Sequence, residues 1–254
     1  MGGVTAIVQA RVASTRLRRK ILEPVGDKPL ILWVTSRLRA AALVDDVVIA
    51  TSLSPADDEV FELARREGIL CHRGSEDDVL DRFIGAAKLC PADTIIRATG
   101  DNPLLDSVTL DLMIKSHLDS GSDYTGANGV VPLGSTAEVV ALHALKSAWE
   151  EARETPYREH VTPFIHSQPG RFKVRAANPA EYLAGKNYRL TVDTNEDLAL
   201  MRVLCAELGK AGKPFDAHGA VELLDRRPEL VSINMEVLQK DWRRELSGGG
   251  TSGG

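Results

Sequence analysis

Cysteine is scarce in this chain and scattered: Cys71, Cys90 and Cys205, three in all, with no Cys-x-x-Cys pair. An odd number of distant cysteines builds neither a disulfide framework nor a zinc site, so three small buried thiols are expected. No apolar run approaches the about 18 residues of a membrane span, and the first residues lack the basic-then-apolar order of a secretory signal. These absences lead us to expect a soluble, reducing, cytoplasmic setting. A basic excess is missing too. With 31 Lys and Arg against 36 Asp and Glu the formal net charge is −5, which argues against a general nucleic-acid binder but leaves room for one concentrated basic pocket. Neither GxxxxGK[ST] nor GxGxxG occurs, which excludes a Walker loop and disfavours a nicotinamide Rossmann site. Aromatics make up only 5%, yet 43% of the 254 residues are hydrophobic, enough for a sizeable core.

The apolar pattern that is present alternates short runs with helical spacings. Strands are predicted at Val4–Val8, Val47–Thr51, Ile69–His72 and Thr94–Ala98. Between them lie predicted helices from Lys28 to Leu43, Pro55 to Gly68, Ser75 to about Leu89, and Ser107 to His117, the last capped by Asp106. The second half is less regular. Strands are expected at Ala137–Ala141, Phe172–Ala176 and Tyr188–Val192. Helices are expected at Leu142–Ala152, Tyr157–His166 around Pro163, Asn195–Gly209 and Ala217–Leu224. Alternation of this kind implies an α/β fold with a mostly parallel sheet flanked by helices, and ligands bind such sheets at the carboxyl ends of their strands. We read one domain over residues 1–246, with an acceptor-side subregion at about 125–185. The tail Ser247–Gly254 is flexible by composition.

Directly after the first strand comes a concentration of cations: Arg11, Arg16, Arg18, Arg19 and Lys20 within ten residues. Guanidinium groups grip phosphate oxygens bidentately, lysine adds a mobile point charge, and the small residues Ala10, Ala13, Ser14 and Thr15 let a phosphate approach the backbone. Charge alone fits a solvated basic turn equally well; the placement after a strand favours a phosphate loop. Two aspartates, Asp101 and Asp193, each follow a predicted strand. Magnesium takes few carboxylates and keeps substrate phosphate oxygens and waters, so this pair suits a metal shared with a triphosphate. The competing role for Asp193 is capping the helix that begins with Glu196-Asp197. His160 reads as a structural or substrate-orienting residue rather than a catalytic base. An Asp-x-Asp motif, usual in enzymes that consume nucleotide sugars, is absent around Asp101.

These segments resemble the cytidylyltransferase family that includes the spore-coat polysaccharide type, relatives of the CMP-Kdo and CMP-sialate synthetases. The likeness runs through Ile7-Val8-Gln9-Ala10-Arg11, Ser14-Thr15-Arg16-Leu17 and Lys20, then Gly26-Asp27-Lys28-Pro29-Leu30 and Arg73-Gly74-Ser75-Glu76-Asp77-Asp78. It continues through Arg97-Ala98-Thr99-Gly100-Asp101-Asn102-Pro103, Glu159-His160-Val161-Thr162-Pro163 and Arg189-Leu190-Thr191-Val192-Asp193. The resemblance implies a nucleotide-diphospho-sugar transferase fold, Rossmann-like, and transfer of CMP from CTP with release of pyrophosphate. It implies that Arg11, Ser14, Thr15, Arg16 and Lys20 hold the triphosphate, with Arg11, Arg16 and Lys20 catalytic. It places Gln9, Ala10, Ser75, Arg97 and Thr99 toward the nucleotide, Mg²⁺ on Asp101 and Asp193, and the acceptor near Glu138 and His160. The acceptor would be an acidic sugar, phosphate or phosphonate, and relatives are often homodimers, for which about 130–170 is the expected interface. GTP, UTP or ATP in place of CTP, a nucleotide-sugar-using glycosyltransferase and a non-catalytic binding protein are the alternatives. The chain departs from the family where Arg18-Arg19 replaces Pro-Gly, Thr136 an aspartate and Leu133 an arginine.

Overall fold

The computed structural model describes residues 2–13 and 16–239. Ser14, Thr15 and the glycine-rich tail lie outside the described residues. The first strand, β1 (Gly3–Gln9), is buried on both faces. A short hairpin, β2 (Pro24–Val25) and β3 (Lys28–Pro29), leads into helix α1 (Leu30–Ala40). The predicted helix therefore loses Lys28 and Pro29, because both pair with β2. Strand β4 (Asp46–Ser52) follows, then helix α2 (Asp58–Arg66), strand β5 (Leu70–Gly74), helix α3 (Val79–Ala87), strand β6 (Ala92–Thr99) and helix α4 (Ser107–Ser120). Asp106 caps α4 by accepting the Thr109 N–H at 2.7 Å, as expected. At α3 the cap is Asp78, which accepts the Asp81 N–H at 2.8 Å, while Ser75 lies one turn outside the helix.

Strands β7 (Tyr124–Ala127) and β8 (Glu138–Ala141), helices α5 (Leu142–Glu151), α6 (Thr155–His160) and α7 (Pro163–His166), and strand β9 (Val174–Ala177) form the middle of the chain. Helices α8 (Asn195–Lys210) and α9 (Ala217–Arg226) close it. The single helix expected around Pro163 is two short ones. Val161 interrupts them at φ 72°, where a β-branched residue is rare, and the Thr162 N–H bonds to the His160 carbonyl at 2.9 Å across it. Strand β7 went unpredicted, since Tyr124-Thr125-Gly126-Ala127 is short and contains glycine.

Seven strands form one sheet in the order β5-β4-β1-β6-β8-β7-β9. The β5-β4-β1-β6 half is parallel; β8 then runs antiparallel to β6. Side chains alternate across β1, so Ala6 and Val8 join the core under α1, α2 and α4. Ile7 joins the opposite layer under α3 and α5. A third apolar cluster ties Leu190 and Val192 to α8 and α9. Among the thiols only Cys90 is buried; Cys71 and Cys205 are half-buried, which corrects the expectation of three buried ones. All three are free, and burial pushes the Cys71 thiol up to about 11, which keeps it protonated at neutral pH.

Residues 188–192, predicted as a strand, do not join the sheet. They run extended past the end of β6, held by Leu133 N–H to the Tyr188 carbonyl and Leu190 N–H to the Leu133 carbonyl, both at 2.8 Å. The Val192 N–H then reaches the Asp101 carbonyl at 2.9 Å. Gly134 allows this crossing. Its φ is 91°, and a Cβ there would lie 2.7 Å from the Thr191 nitrogen. Asp193 thus reaches Asp101 through backbone bonds outside the sheet. Replacement of Gly134 by alanine is expected to cost about 1–3 kcal/mol in urea unfolding, from left-handed backbone and overlap together, and to separate the two aspartates. A stability within about 0.5 kcal/mol of wild type would show that the crossing tolerates a side chain.

His117 on α4 is 3% exposed and meets Thr125 Oγ1 of β7 at 3.0 Å. Burial drives its pKa down to about 4; Asp123 opposes this and His143 adds to it. The unfolded chain therefore binds the extra proton first. The stabilising effect of a neutral His117 is complete above about pH 6.5 and is lost as pH falls toward 4, on the order of 2–3 kcal/mol. His117→Asn, which keeps a partner for Thr125 but cannot titrate, should flatten that part of the stability–pH curve. Parallel curves for variant and wild type between pH 7 and 4 would remove His117 as the cause.

Candidate active site

The carboxyl ends of β1 and β6 lie side by side, with Gln9 in register with Thr99. The chain leaves β1 for β4 on one side and later returns to β6 on the other, so this is where strand order reverses and a crevice opens. A cleft of ≈ 400 Å³ lies there, lined by Gln9, Arg11, Ala13, Arg16, Lys20, Ile21, Thr99, Gly100, Asp101, Glu159 and Asp193. Of the residues named from the sequence, Gln9, Arg11, Arg16, Lys20, Thr99, Asp101 and Asp193 meet in it.

Lys20 is its centre. The ammonium donates to Asp101 Oδ2 at 2.6 Å and to Asp193 Oδ1 at 2.7 Å. Burial works against the charged lysine, but the two carboxylates outweigh it and raise its pKa. Burial likewise works against the charged form of Asp193, and Lys20, Arg16 and Arg189 overcome it to hold that carboxyl below its ordinary range. Arg16 meets Asp193 Oδ2 at 2.9 Å, and so does Arg189. Behind them stands Asp197, fully buried, which accepts from the Arg189 Nε at 2.8 Å and from the backbone of Asp193 and Thr194 at 2.9 and 3.1 Å. Thr194 and Asp197 make the capping box of α8, so Asp193 is not its cap and its carboxylate faces the cleft. On the other side Thr99 Oγ1 donates to Asp101 Oδ1 at 2.6 Å.

The two aspartates converge on a single positive charge, the lysine nitrogen. That convergence is the fit a divalent cation requires of them, since magnesium needs only one or two carboxylates when phosphate and water complete its shell. Among the described residues no group of three or more His, Cys, Asp or Glu is arranged to hold a metal without such help.

On the side toward β8, Arg97 of β6 faces Glu138 across the antiparallel pair, Nη1 to Oε2 at 2.5 Å, and points its second nitrogen at Gln9 Oε1, 3.4 Å away. The remaining Glu138 oxygen accepts from Tyr124 Oη at 2.7 Å and Thr162 Oγ1 at 2.9 Å. Both oxygens of Glu138 are thus engaged with the protein. Ala10 is buried and does not line the cleft. Ser75 accepts the Asp78 N–H at 3.1 Å and, like Arg97, Glu138 and His160, stands outside the cleft lining. Glu159 went unassigned in the sequence; it comes from α6 and meets Arg11 at 3.5 Å. Its signal was its place in Glu159-His160-Val161-Thr162-Pro163, where a helix must break before proline. Arg189 and Asp197 also went unassigned, each looking like an ordinary charge beside the aspartate. Arg18 is exposed, and Arg19 turns from the cleft to Glu59.

Known proteins resemble this chain over most of its length. The spore coat polysaccharide biosynthesis protein SpsF of Bacillus subtilis is 38% identical over 237 residues, covering 91% of this chain and 98% of that one. A solved cytidylyltransferase from Leptospira borgpetersenii superposes with a TM-score of 0.81 at 28% identity, over 94% of this chain and 98% of its own. CMP:2-keto-3-deoxy-manno-octonic acid synthetase, solved in complex with CTP, shares the fold at a TM-score of 0.61 and 16% identity, over 81% and 99% of the two chains. The family description "Cytidylyltransferase" matches residues 5–216, which include the basic loop, both aspartates and Glu159; the chain belongs to the cytidylyltransferase family.

Proposed function

We propose that the chain transfers CMP from CTP to an acidic sugar, phosphate or phosphonate acceptor and releases pyrophosphate. The observation that carries this reading is the convergence of Asp101 and Asp193 on the Lys20 ammonium, in a cleft that also holds Arg11 and Arg16. Three cations at one strand-end crevice, with two carboxylates converging among them and Glu159 at Arg11, suit a triphosphate with its divalent cation better than any neutral ligand.

In the reaction an acceptor oxygen forms a bond to the α-phosphorus, and the bond from that phosphorus to the bridging oxygen breaks. The electron pair leaves with pyrophosphate. Arg11, held by Glu159 at 3.5 Å, turns to phosphate oxygens at small cost. Arg16 and Lys20 stabilise charge gathering on the departing pyrophosphate. Gln9 and Arg97, at the ends of adjacent strands, bound the nucleoside side, with Glu138 holding Arg97 in place. Asp101 and Asp193 are the residues that would hold Mg²⁺, which would supply neutralisation of α-phosphate charge. A phosphate, phosphonate or carboxylate oxygen is already an anionic nucleophile and needs no general base, whereas a sugar hydroxyl would have to pass its proton to solvent or to an acceptor carboxylate, because no histidine is among the described residues that line the cleft.

Lys20 and the divalent cation share the same two carboxylates in this reading. Lys20 gives them up when the triphosphate offers it other anionic oxygens.

Calorimetry with CTP, GTP, UTP and ATP in Mg²⁺ should give tight binding for CTP alone, and selective binding of another triphosphate would change the product class. Asp101→Asn should keep the fold and lower turnover by at least about a hundredfold; turnover near wild type would remove Asp101 from the reaction. Lys20→Met separates the two roles of the lysine. It should bind Mn²⁺ more tightly than wild type without nucleotide, read by paramagnetic resonance, while binding CTP more weakly. Equal Mn²⁺ affinity would mean that lysine and metal do not compete.

A further inference from the structure

The basic loop is closed at its neck. The Arg19 N–H donates to the Val12 carbonyl at 3.1 Å, so the chain enters and leaves the loop at one point. The start of α2 packs against that point. Asp57, 2% exposed, takes the Val12 N–H at 2.6 Å on one oxygen, and its other oxygen accepts from the backbone and hydroxyl of Ser52. Asp58 pairs with Arg73 at 2.8 Å. Glu59 takes the Arg19 guanidinium at 2.5 Å. Three successive acids thus hold three different groups, and two of those groups are the two sides of the loop's neck.

Arg19 itself stands at φ 58° and ψ 17°, in the left-handed region. With Val161 it is one of two non-glycine residues at positive φ among those described. Glycine occupies that region freely, whereas a residue with a Cβ is disfavoured there. Lys20, the next residue, reaches both aspartates directly out of this turn. An exposed ion pair is ordinarily worth little to global stability. Here it acts locally, on a turn whose backbone preference opposes the geometry required.

We infer that Glu59 is a positioning residue for the nucleotide loop: by holding the Arg19 side chain it keeps the left-handed turn that aims Lys20 at Asp101 and Asp193. Asp57 fixes the other side of the same neck. The inference rests on the nucleotide reading of the cleft, because the loop's task is taken to be triphosphate binding.

The test is a cycle of four proteins: wild type, Glu59→Ala, Arg19→Gly and the double variant. Each is measured for CTP affinity by calorimetry, for amide exchange in a peptide spanning residues 10–22 without nucleotide, and for urea stability. Glu59→Ala should weaken CTP binding about three- to tenfold and speed exchange by a similar factor, with the urea midpoint unchanged. Arg19→Gly should lie within about twofold of wild type. The double variant should recover to the level of Arg19→Gly, since glycine keeps the turn without an anchor. Glu59→Ala indistinguishable from wild type in affinity and exchange would overturn the inference. So would a double variant as impaired as Glu59→Ala alone. If wild type binds no nucleotide, the proposed function fails while the exchange series still decides whether Glu59 holds the turn.

Discussion

Two carboxylates brought to within hydrogen-bond distance of one ammonium group are the constraint around which this molecule is arranged. Asp101 and Asp193 are far apart in sequence and belong to different parts of the fold. Left alone, two anions at that spacing repel, and burial makes the repulsion worse. Lys20 resolves this by standing between them at 2.6 and 2.7 Å, and Arg16 and Arg189 share the remaining charge of Asp193. The surrounding structure is a set of devices for bringing those groups together: a parallel sheet that ends β1 beside β6, a glycine crossing that carries Asp193 past Asp101, and a buried Asp197 that locks Arg189.

The sheet divides the labour. Its parallel half, β5-β4-β1-β6, presents the loop and Asp101 at strand carboxyl ends, as parallel sheets do. Its antiparallel continuation through β8 places Glu138 opposite Arg97 and leads to α6, which delivers Glu159. The seam between β6 and β8 is therefore also the seam between the group that would grip the nucleotide and the region that would choose its acceptor. Leu133 and Thr136, where the chain departs from the spore-coat pattern, lead into β8 on the far side of that seam.

Most of the parallel half was legible in the sequence because buried strands advertise themselves: Val47-Val48-Ile49-Ala50 is an unbroken apolar run between turns, and Thr94-Ile95-Ile96 is wholly β-branched. The basic loop and Asp101 were legible for the same reason, since each follows such a run. Tyr188–Val192 looked like another strand on composition, yet it makes its bonds to Leu133 and Asp101, partners that local pattern cannot reveal. Arg189 and Asp197 were hidden because a charge that positions another charge reads like any surface residue. The departure at Arg18-Arg19 was visible, but its meaning was not. Arg19 keeps a left-handed turn that glycine would take freely, and the Glu59 that holds it lies 40 positions away in sequence.

The charged residues of the cleft carry one further consequence. Its ionised lining is three cations, Arg11, Arg16 and Lys20, against three anions, Asp101, Glu159 and Asp193. At a distance these cancel, and the chain as a whole is negative. The lining side chains therefore offer no net charge with which to steer a polyanion. On the nucleotide reading, recognition would then rest on contact, where an incoming phosphate trades places with a carboxylate on a lysine or arginine already in position.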